Sequence, residues 1–372
     1  MSMIGEEAMK RPNLCSRALH AALAVLWVTG VGVVGAASAA PAAKPAGPLF
    51  HDCHVHLTNY VQEGITAREY LKLMGNRVGR AALFGIPLQQ QWSHRVDGDQ
   101  APTYYLDSDA PLYYYSFCDA FIAMQYRSLT KSEQARFDPM IIGFNPTDMY
   151  AADHIRRALQ TFPGVFTGIG EFTIHKEFVS PKVAGGVASL SDPALDRILD
   201  FCAETGLVVL LHSDIAKPFP KAATTDYLPE MKALFLRHPR TSIIWAHIGL
   251  GRIIHPVRDQ MAAIEEMMRD PRFDHVHFDI SWDEVNKYAV ASETAIERVA
   301  DVLNRYPGRF LFGTDTVAPR EEKAYFGVYH LWDPVWARLT PEAREKVTKK
   351  NYERLFDAAR VKVRAWEKTH PM

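Results

Sequence analysis

Two stretches of the 372-residue chain carry paired histidines that could hold a metal ion. "LFHDCHVHLTNY" (49–60) sets His54 and His56 two residues apart, and "FDHVHFDIS" (273–281) repeats the spacing with His275 and His277. On a strand, residues i and i+2 face the same side, so either pair could present two imidazoles to one cation. The surroundings separate them. In the first stretch Leu49, Phe50 and Asp52 precede the histidines and Thr58-Asn59 follows, which puts His54 and His56 at the outgoing end of their strand. In the second, the pair opens the strand and Asp279 and Ser281 follow on the same face, so His275 and His277 read as structural.

Further candidates come at or just after other apolar runs: Glu171 in "GIGEF", His212 in "VLLHSD", His247 in "WAHIG" and Asp315 in "FGTDT". Imidazoles and carboxylates converging on one place make a nitrogen–oxygen donor set of the kind Zn²⁺ takes, with a position left open for water. Convergence needs a scaffold that brings several strand ends together. The runs themselves are of strand length and rich in Val, Ile, Leu and Phe: 49–57, 80–87, 139–146, 165–174, 206–214, 241–249, 275–281 and 309–315. Such runs suit strands buried on both faces of a parallel sheet.

Between them lie helical patterns with punctuation at both ends. "SDPALDRILDFCAETG" opens on Asp192-Pro193 and closes on Gly206, and "RDQMAAIEEMMRDP" and "SETAIERVADVLNRYPG" behave alike. Glu171, His212, His247, Asp279 and Asp315 follow one another at intervals of 41, 35, 32 and 36 residues, about one strand–helix unit each. Eight such strands predict an α/β fold, a single-domain (β/α)8 barrel over residues 48–372, with chemistry at the C-terminal strand ends. A doubly wound open sheet fits less well, because no glycine-rich phosphate turn follows a strand.

The motif series "DCHVH", "GIGEF", "VLLHSD", "WAHIG", "FGTDT" resembles the amidohydrolase superfamily of metal-dependent hydrolases over essentially the whole chain after the N-terminal segment. In flavour it is similar to the amidohydrolase-related subgroup that includes aminocarboxymuconate-semialdehyde decarboxylase and related lactonases. The strand-four glutamate is similar to that of the TatD-type and phosphotriesterase-like branches. The resemblance implies a divalent metal, Zn²⁺ first and Mn²⁺ or Fe²⁺ as alternatives, held by a set drawn from His54, His56, Glu171, His212, His247 and Asp315. With one ion, His54, His56, His212 and Asp315 would be ligands and His247 would serve acid–base chemistry. With two, Glu171 would bridge while His212 and His247 hold the second. Glu171 could equally orient ligand histidines. Asp315 is the implied general base.

Cations after the strands, His175 and Lys176, Lys217, Arg252 and Arg320, could meet an anionic substrate; Arg252, Lys176 and Arg320 are the candidate contacts. An insertion at about 88–128 crowds Trp92, Tyr104, Tyr105, Tyr113, Tyr114 and Tyr115 into a loop. A loop this long reads as a substrate lid, with Tyr114 as its candidate contact, or as aromatic packing on the barrel or on a partner subunit of a homo-oligomer.

Composition narrows the rest. The chain is 48% hydrophobic and 23% charged with a net charge of −1, which removes the electrostatic case for a nucleic-acid binder. Lys10, Arg11 and Arg17 precede an apolar run that ends in Ala37-Ser38-Ala39, the build of a secretory signal cleaved after Ala39, followed by a linker at 40–47. A periplasmic or secreted enzyme without stable membrane insertion follows; an uncleaved N-terminal anchor is the alternative. Cys53, Cys118 and Cys202 are too few and too scattered for a disulfide framework.

The expected function is hydrolysis of an amide, ester or lactone bond of a small anionic substrate. Nonoxidative decarboxylation on the same site is the runner-up, and a noncatalytic periplasmic metal-binding protein the third reading.

Overall fold

A run of apolar residues long enough for a strand but flanked by helical patterns buries itself best in a parallel sheet covered by helices. The computed structural model of the chain, which describes residues 47–186, 188–219, 226–257 and 260–372, has that arrangement. The expected signal segment 1–39 and all of the linker but Gly47 lie outside the described residues.

Eight parallel strands form one curled sheet in sequence order: β1 (Phe50–Asp52), β2 (Val78–Leu83), β3 (Phe137–Ile141), β4 (Gly168–Thr173), β5 (Val208–His212), β6 (Ile243–Trp245), β7 (Val276–Asp279) and β8 (Phe310–Leu311). Its two edges meet. Cys53 N donates to Phe312 O at 3.2 Å and Asp315 N to His54 O at 2.7 Å, and the two-residue strands Val55–His56 and Thr316–Val317 pair in parallel. Asp52 reinforces the seam, accepting from Thr314 N (2.9 Å), Thr314 Oγ1 (2.8 Å) and Tyr325 OH (2.7 Å). Gly313 is required here: a Cβ would lie 2.8 Å from His54 N and 2.7 Å from its Cβ.

A helix follows each strand: α1 (Ala67–Met74), α2 (Phe117–Arg127), α3 (Ala151–Thr161), α4 (Pro193–Thr205), α5 (Leu228–Arg237), α6 (Gln260–Arg269), α7 (Glu293–Arg305) and α8 (Asn351–Thr369). Their ends obey the sequence signals. The Asp192 side chain caps Ala194 N, Pro193 takes the first helical position, and Gly206 closes α4 at φ 80°. Ser292 caps α7 through Ala295 N.

The insertion differs from a structureless loop. Leu88–Gln90 pairs antiparallel with Leu112–Tyr114, and the stretch 117–127 is α2, part of the strand–helix rhythm. Tyr60, Ile86, Leu88, Tyr105, Leu112 and Val179 form a small core beneath the hairpin, with Tyr104 and Tyr114 packed on it. Among the described residues, Cys53, Cys118 and Cys202 are free and buried. No helix among the described residues is long and apolar enough to cross a membrane.

His275 and His277 sit at the opposite end of the sheet from His54 and His56. His275 Nε2 meets Phe235 O at 3.1 Å, and Arg354 on α8 donates to His277 Nε2 at 3.0 Å. Burial, helped by the Arg354 and Arg309 guanidinium groups, pushes the His277 imidazole from its ordinary 6.5 down to about 3. Between those values the unfolded chain takes up a proton there and the folded chain does not, so this group makes stability fall as pH falls from about 6.5 toward 3. Urea titrations across that range should show the His277→Gln variant losing about 1.4 kcal/mol per pH unit less than the parent chain. Equal slopes would contradict the assignment.

Candidate metal centre

The polar residues that follow the strands converge on one end of the sheet. His212 is the last residue of β5 and Glu171 lies within β4; His54 and His56 follow β1, His247 follows β6 and Asp315 follows β8. None of the four histidines is more than 1% exposed, and Glu171 is 3% exposed. His247 (φ 54°) and Asp315 (φ 50°) are held in the left-handed region that residues other than glycine rarely adopt. Such backbone persists where the surrounding structure over-determines it, and it turns both side chains inward.

Glu171 stands between two groups of donors. Its Oε2 lies 3.3 Å from His56 Nε2 and 3.7 Å from His54 Nε2, while Asp315 Oδ1 lies 3.2 and 3.3 Å from the same two nitrogens. Its Oε1 lies 2.7 Å from His212 Nδ1, 3.3 Å from His247 Nε2 and 3.2 Å from Lys176 Nζ. The donor atoms of His54, His56, Glu171 and Asp315 lie within 4.8 Å of one another, and so do those of Glu171, His212 and His247.

The outer ring nitrogens explain why the inner ones point as they do. His54 Nδ1 donates to Asp279 Oδ2 at 2.7 Å, His56 Nδ1 to Gly85 O at 2.7 Å, and His212 Nε2 to Asp214 Oδ1 at 3.0 Å. Ser281 gives its hydroxyl proton to Asp279 Oδ2 (2.7 Å), so its oxygen accepts from His247 Nδ1 (3.0 Å). With every outer nitrogen donating, a neutral imidazole turns a lone pair inward, toward carboxylate oxygens that also carry only lone pairs. Metal-ligating histidines are held this way. Lys176 alone does not balance the two buried carboxylates, so the donor set fits one or two divalent cations.

The field at the centre favours positive charge there. Burial by itself would raise the carboxyls of Glu171 and Asp315. For Glu171, Lys176 and the histidines outweigh it; for Asp315, His54, His56 and His247 do, and both groups stay well below the ordinary carboxylate range. Burial would lower the imidazoles of His54, His56 and His212, yet the adjoining carboxylates raise all three; at His247 burial prevails.

The mouth above these groups is lined by His56, Tyr60, Ile86, Tyr104, Tyr105, Glu171, Lys176, Arg252, Trp282, Asp315 and Val317. Lys176 and Arg252, two of the candidate contacts, are among these lining residues. The Arg252 guanidinium lies 5.5 Å from the Trp282 ring centre and donates to Tyr104 OH at 3.2 Å. The other two candidate contacts are placed elsewhere. Arg320 lies outside the mouth: the chain turns at Ala318 (φ 47°) and carries the side chain to Gly64 O at 3.4 Å, in a separate groove with Glu69 and Lys72. Tyr114 packs into the aromatic core under the hairpin, and Tyr104 and Tyr105 line the mouth in its place.

His175 stacks on Tyr227 with ring centres 3.8 Å apart, and Lys217 is exposed, with its backbone nitrogen on Asp226. Sequence reasoning missed Asp279 and Ser281 as partners of His54 and His247. Their spacing of two residues, at the end of β7 and just after it, was the available signal.

A family model described as "Amidohydrolase" matches residues 51–358, and the chain belongs to that family. It is accordingly an enzyme of the amidohydrolase superfamily, whose members are metal-dependent. No curated protein sequence matches it. Among solved structures, an amidohydrolase from Burkholderia multivorans with bound zinc is 14% identical, with a TM-score of 0.51, over 83% of this chain and 99% of that one. A Pseudomonas putida protein proposed as a 2-pyrone-4,6-dicarboxylic acid hydrolase is 11% identical, with a TM-score of 0.49, over 83% and 97%. The likeness to the Burkholderia protein is one of fold.

The two histidine pairs should behave differently when removed. Elemental analysis of His56→Ala should find the metal lost, while His277→Ala should keep its metal and lose stability. Metal retained in the first variant, or lost in a folded second one, would reverse the assignment.

Proposed function

We propose that the chain is an exported metal-dependent hydrolase that cleaves an amide, ester or lactone bond of a small anionic substrate on a (β/α)8 barrel. The carrying observation is the division of the donor set by Glu171, whose two oxygens face different histidine pairs. His54, His56, Glu171 and Asp315 would hold one divalent cation, and Glu171, His212 and His247 a second. Zn²⁺ suits these nitrogen and oxygen donors, as do Mn²⁺ and Fe²⁺. When bound, the metal would supply a water acidic near neutral pH, about 7 for zinc, and polarise the scissile carbonyl.

The chain's own groups do the rest. Asp315, kept ionised by its histidine neighbours, accepts the proton of the attacking water and returns it to the leaving group. In a one-metal site His247 shares this acid–base work. Asp279 and Ser281 fix the ring planes of His54 and His247. Lys176 and Arg252 place positive charge at the mouth, where a substrate carboxylate or phosphate would be oriented, and the tyrosine layer with Trp282 excludes water. The substrate is a small molecule and not a nucleic acid. Cleavage after Ala39 would release the mature enzyme to the periplasm or the medium, alone or as a homo-oligomer.

Chelator-stripped protein should lose activity on a panel of amides, esters and lactones and regain it with Zn²⁺. Asp315→Asn should fold and lose at least about 100-fold in turnover. Turnover unchanged in that variant would refute the assignment of the base. Metal-loaded protein inactive across the panel would refute the hydrolase reading. The mouth cations Lys176 and Arg252 favour decarboxylation as the second reading, and CO₂ release from aromatic or unsaturated carboxylates would identify it.

A further inference from the structure

The outgoing ends of β5 and β6 lead to His212 and His247; their incoming ends border a crevice of about 150 Å³. Val208, the first residue of β5, and Ser242, which precedes β6, line it from the sheet. Across from them α8 contributes Arg354, Ala358 and Lys362, at intervals of four residues. Residues so spaced share one helix face, and the small Ala358 leaves a gap between two long cationic side chains. Arg240, from the segment between α5 and β6, brings a third cation to the same crevice. The Lys362 stem is seated on Gly206, where a Cβ would lie 2.5 Å from its Cβ and 2.7 Å from its Cδ.

Nothing among the described residues neutralises these three charges. No Asp or Glu lines the crevice. Arg240 and Lys362 make no ion pair or side-chain hydrogen bond with another described residue. Arg354 donates to His277 Nε2 at 3.0 Å and to Gly308 O at 3.1 Å, both neutral acceptors. Burial lowers the Arg354 guanidinium from its ordinary range, with no carboxylate to offset it. Other arginines at this end of the sheet are treated differently: Arg80 and Arg360 share the buried carboxylate of Asp138. Three like charges around one space repel one another, and a bound anion relieves that repulsion.

We propose that this crevice binds a phosphate group, free or esterified, held between Arg240, Arg354 and Lys362. A phosphate carries up to about two negative charges and at least three acceptor oxygens, which matches three converging cations. A carboxylate, with one charge and two oxygens, leaves one cation unanswered. The site lies at the opposite end of β5 and β6 from the metal centre, and its existence does not depend on the reaction proposed above.

The probes are inorganic phosphate, glycerol 3-phosphate and acetate, each titrated by calorimetry into the full chain at matched ionic strength. Phosphate should bind saturably, and about tenfold or more tightly than acetate. Arg240→Gln and Lys362→Gln should each weaken that event about tenfold, the loss of one charge-assisted hydrogen bond. Ala358→Glu, which sets a carboxylate between the cations of α8, should abolish it. All three positions are exposed, so the variants should fold. Phosphate held at the metal centre or the mouth would be untouched by these substitutions, whereas Arg252→Gln at the mouth should leave the crevice event unchanged. Glycerol 3-phosphate binding as tightly as phosphate supports a site for esterified phosphate, and inorganic phosphate alone supports a site for the free ion. No saturable binding of either, acetate binding as tightly, or affinity unaltered by the crevice substitutions would overturn the proposal.

Discussion

The structure around the centre depends on one constraint: a carboxylate, Glu171, is buried among four imidazoles whose free nitrogens all face it or Asp315. A buried carboxylate among inward lone pairs is unfavourable unless positive charge sits with it. Lys176, with its ammonium 3.2 Å from Glu171 Oε1, supplies part of that charge. A divalent cation in either half of the donor set would supply the rest, and this need is what makes the centre read as a metal site.

The fold meets the constraint by tying every histidine from outside. Asp279 and Ser281 on the outgoing side of β7 hold His54 and His247; Gly85 after β2 holds His56; Asp214 after β5 holds His212. Each orienting group comes from a strand end or the segment just after it, so the curvature of the sheet sets the geometry of the site. The left-handed turns at His247 and Asp315 are stable only within that frame, and Gly313 gives the eighth strand room to pass His54.

Much of this was legible in the sequence because strand ends repeat at one strand–helix interval, and because position within a strand separates one histidine pair from the other. His277 is bonded to Arg354, at the opposite end of the sheet from His54 and His56. The orienting residues were harder to see: a single Asp or Ser after an apolar run does not announce which ring, more than two hundred residues away in the case of Asp279 and His54, it will hold. The surroundings of Arg320 and Tyr114 were hidden for a related reason. Where a side chain after a strand ends up depends on local turns, such as that at Ala318, and on long-range pairing, such as Leu88–Gln90 with Leu112–Tyr114. Neither leaves a periodic trace.

The role of Glu171 is the point on which the account turns. Elemental analysis of the purified chain and of its Glu171→Gln variant, both equilibrated with Zn²⁺, tests it directly. A bridging carboxylate predicts two equivalents of metal in the parent chain and one in the variant. One equivalent in both would show that Glu171 only orients the histidines around a single ion, and would contradict the two-part centre.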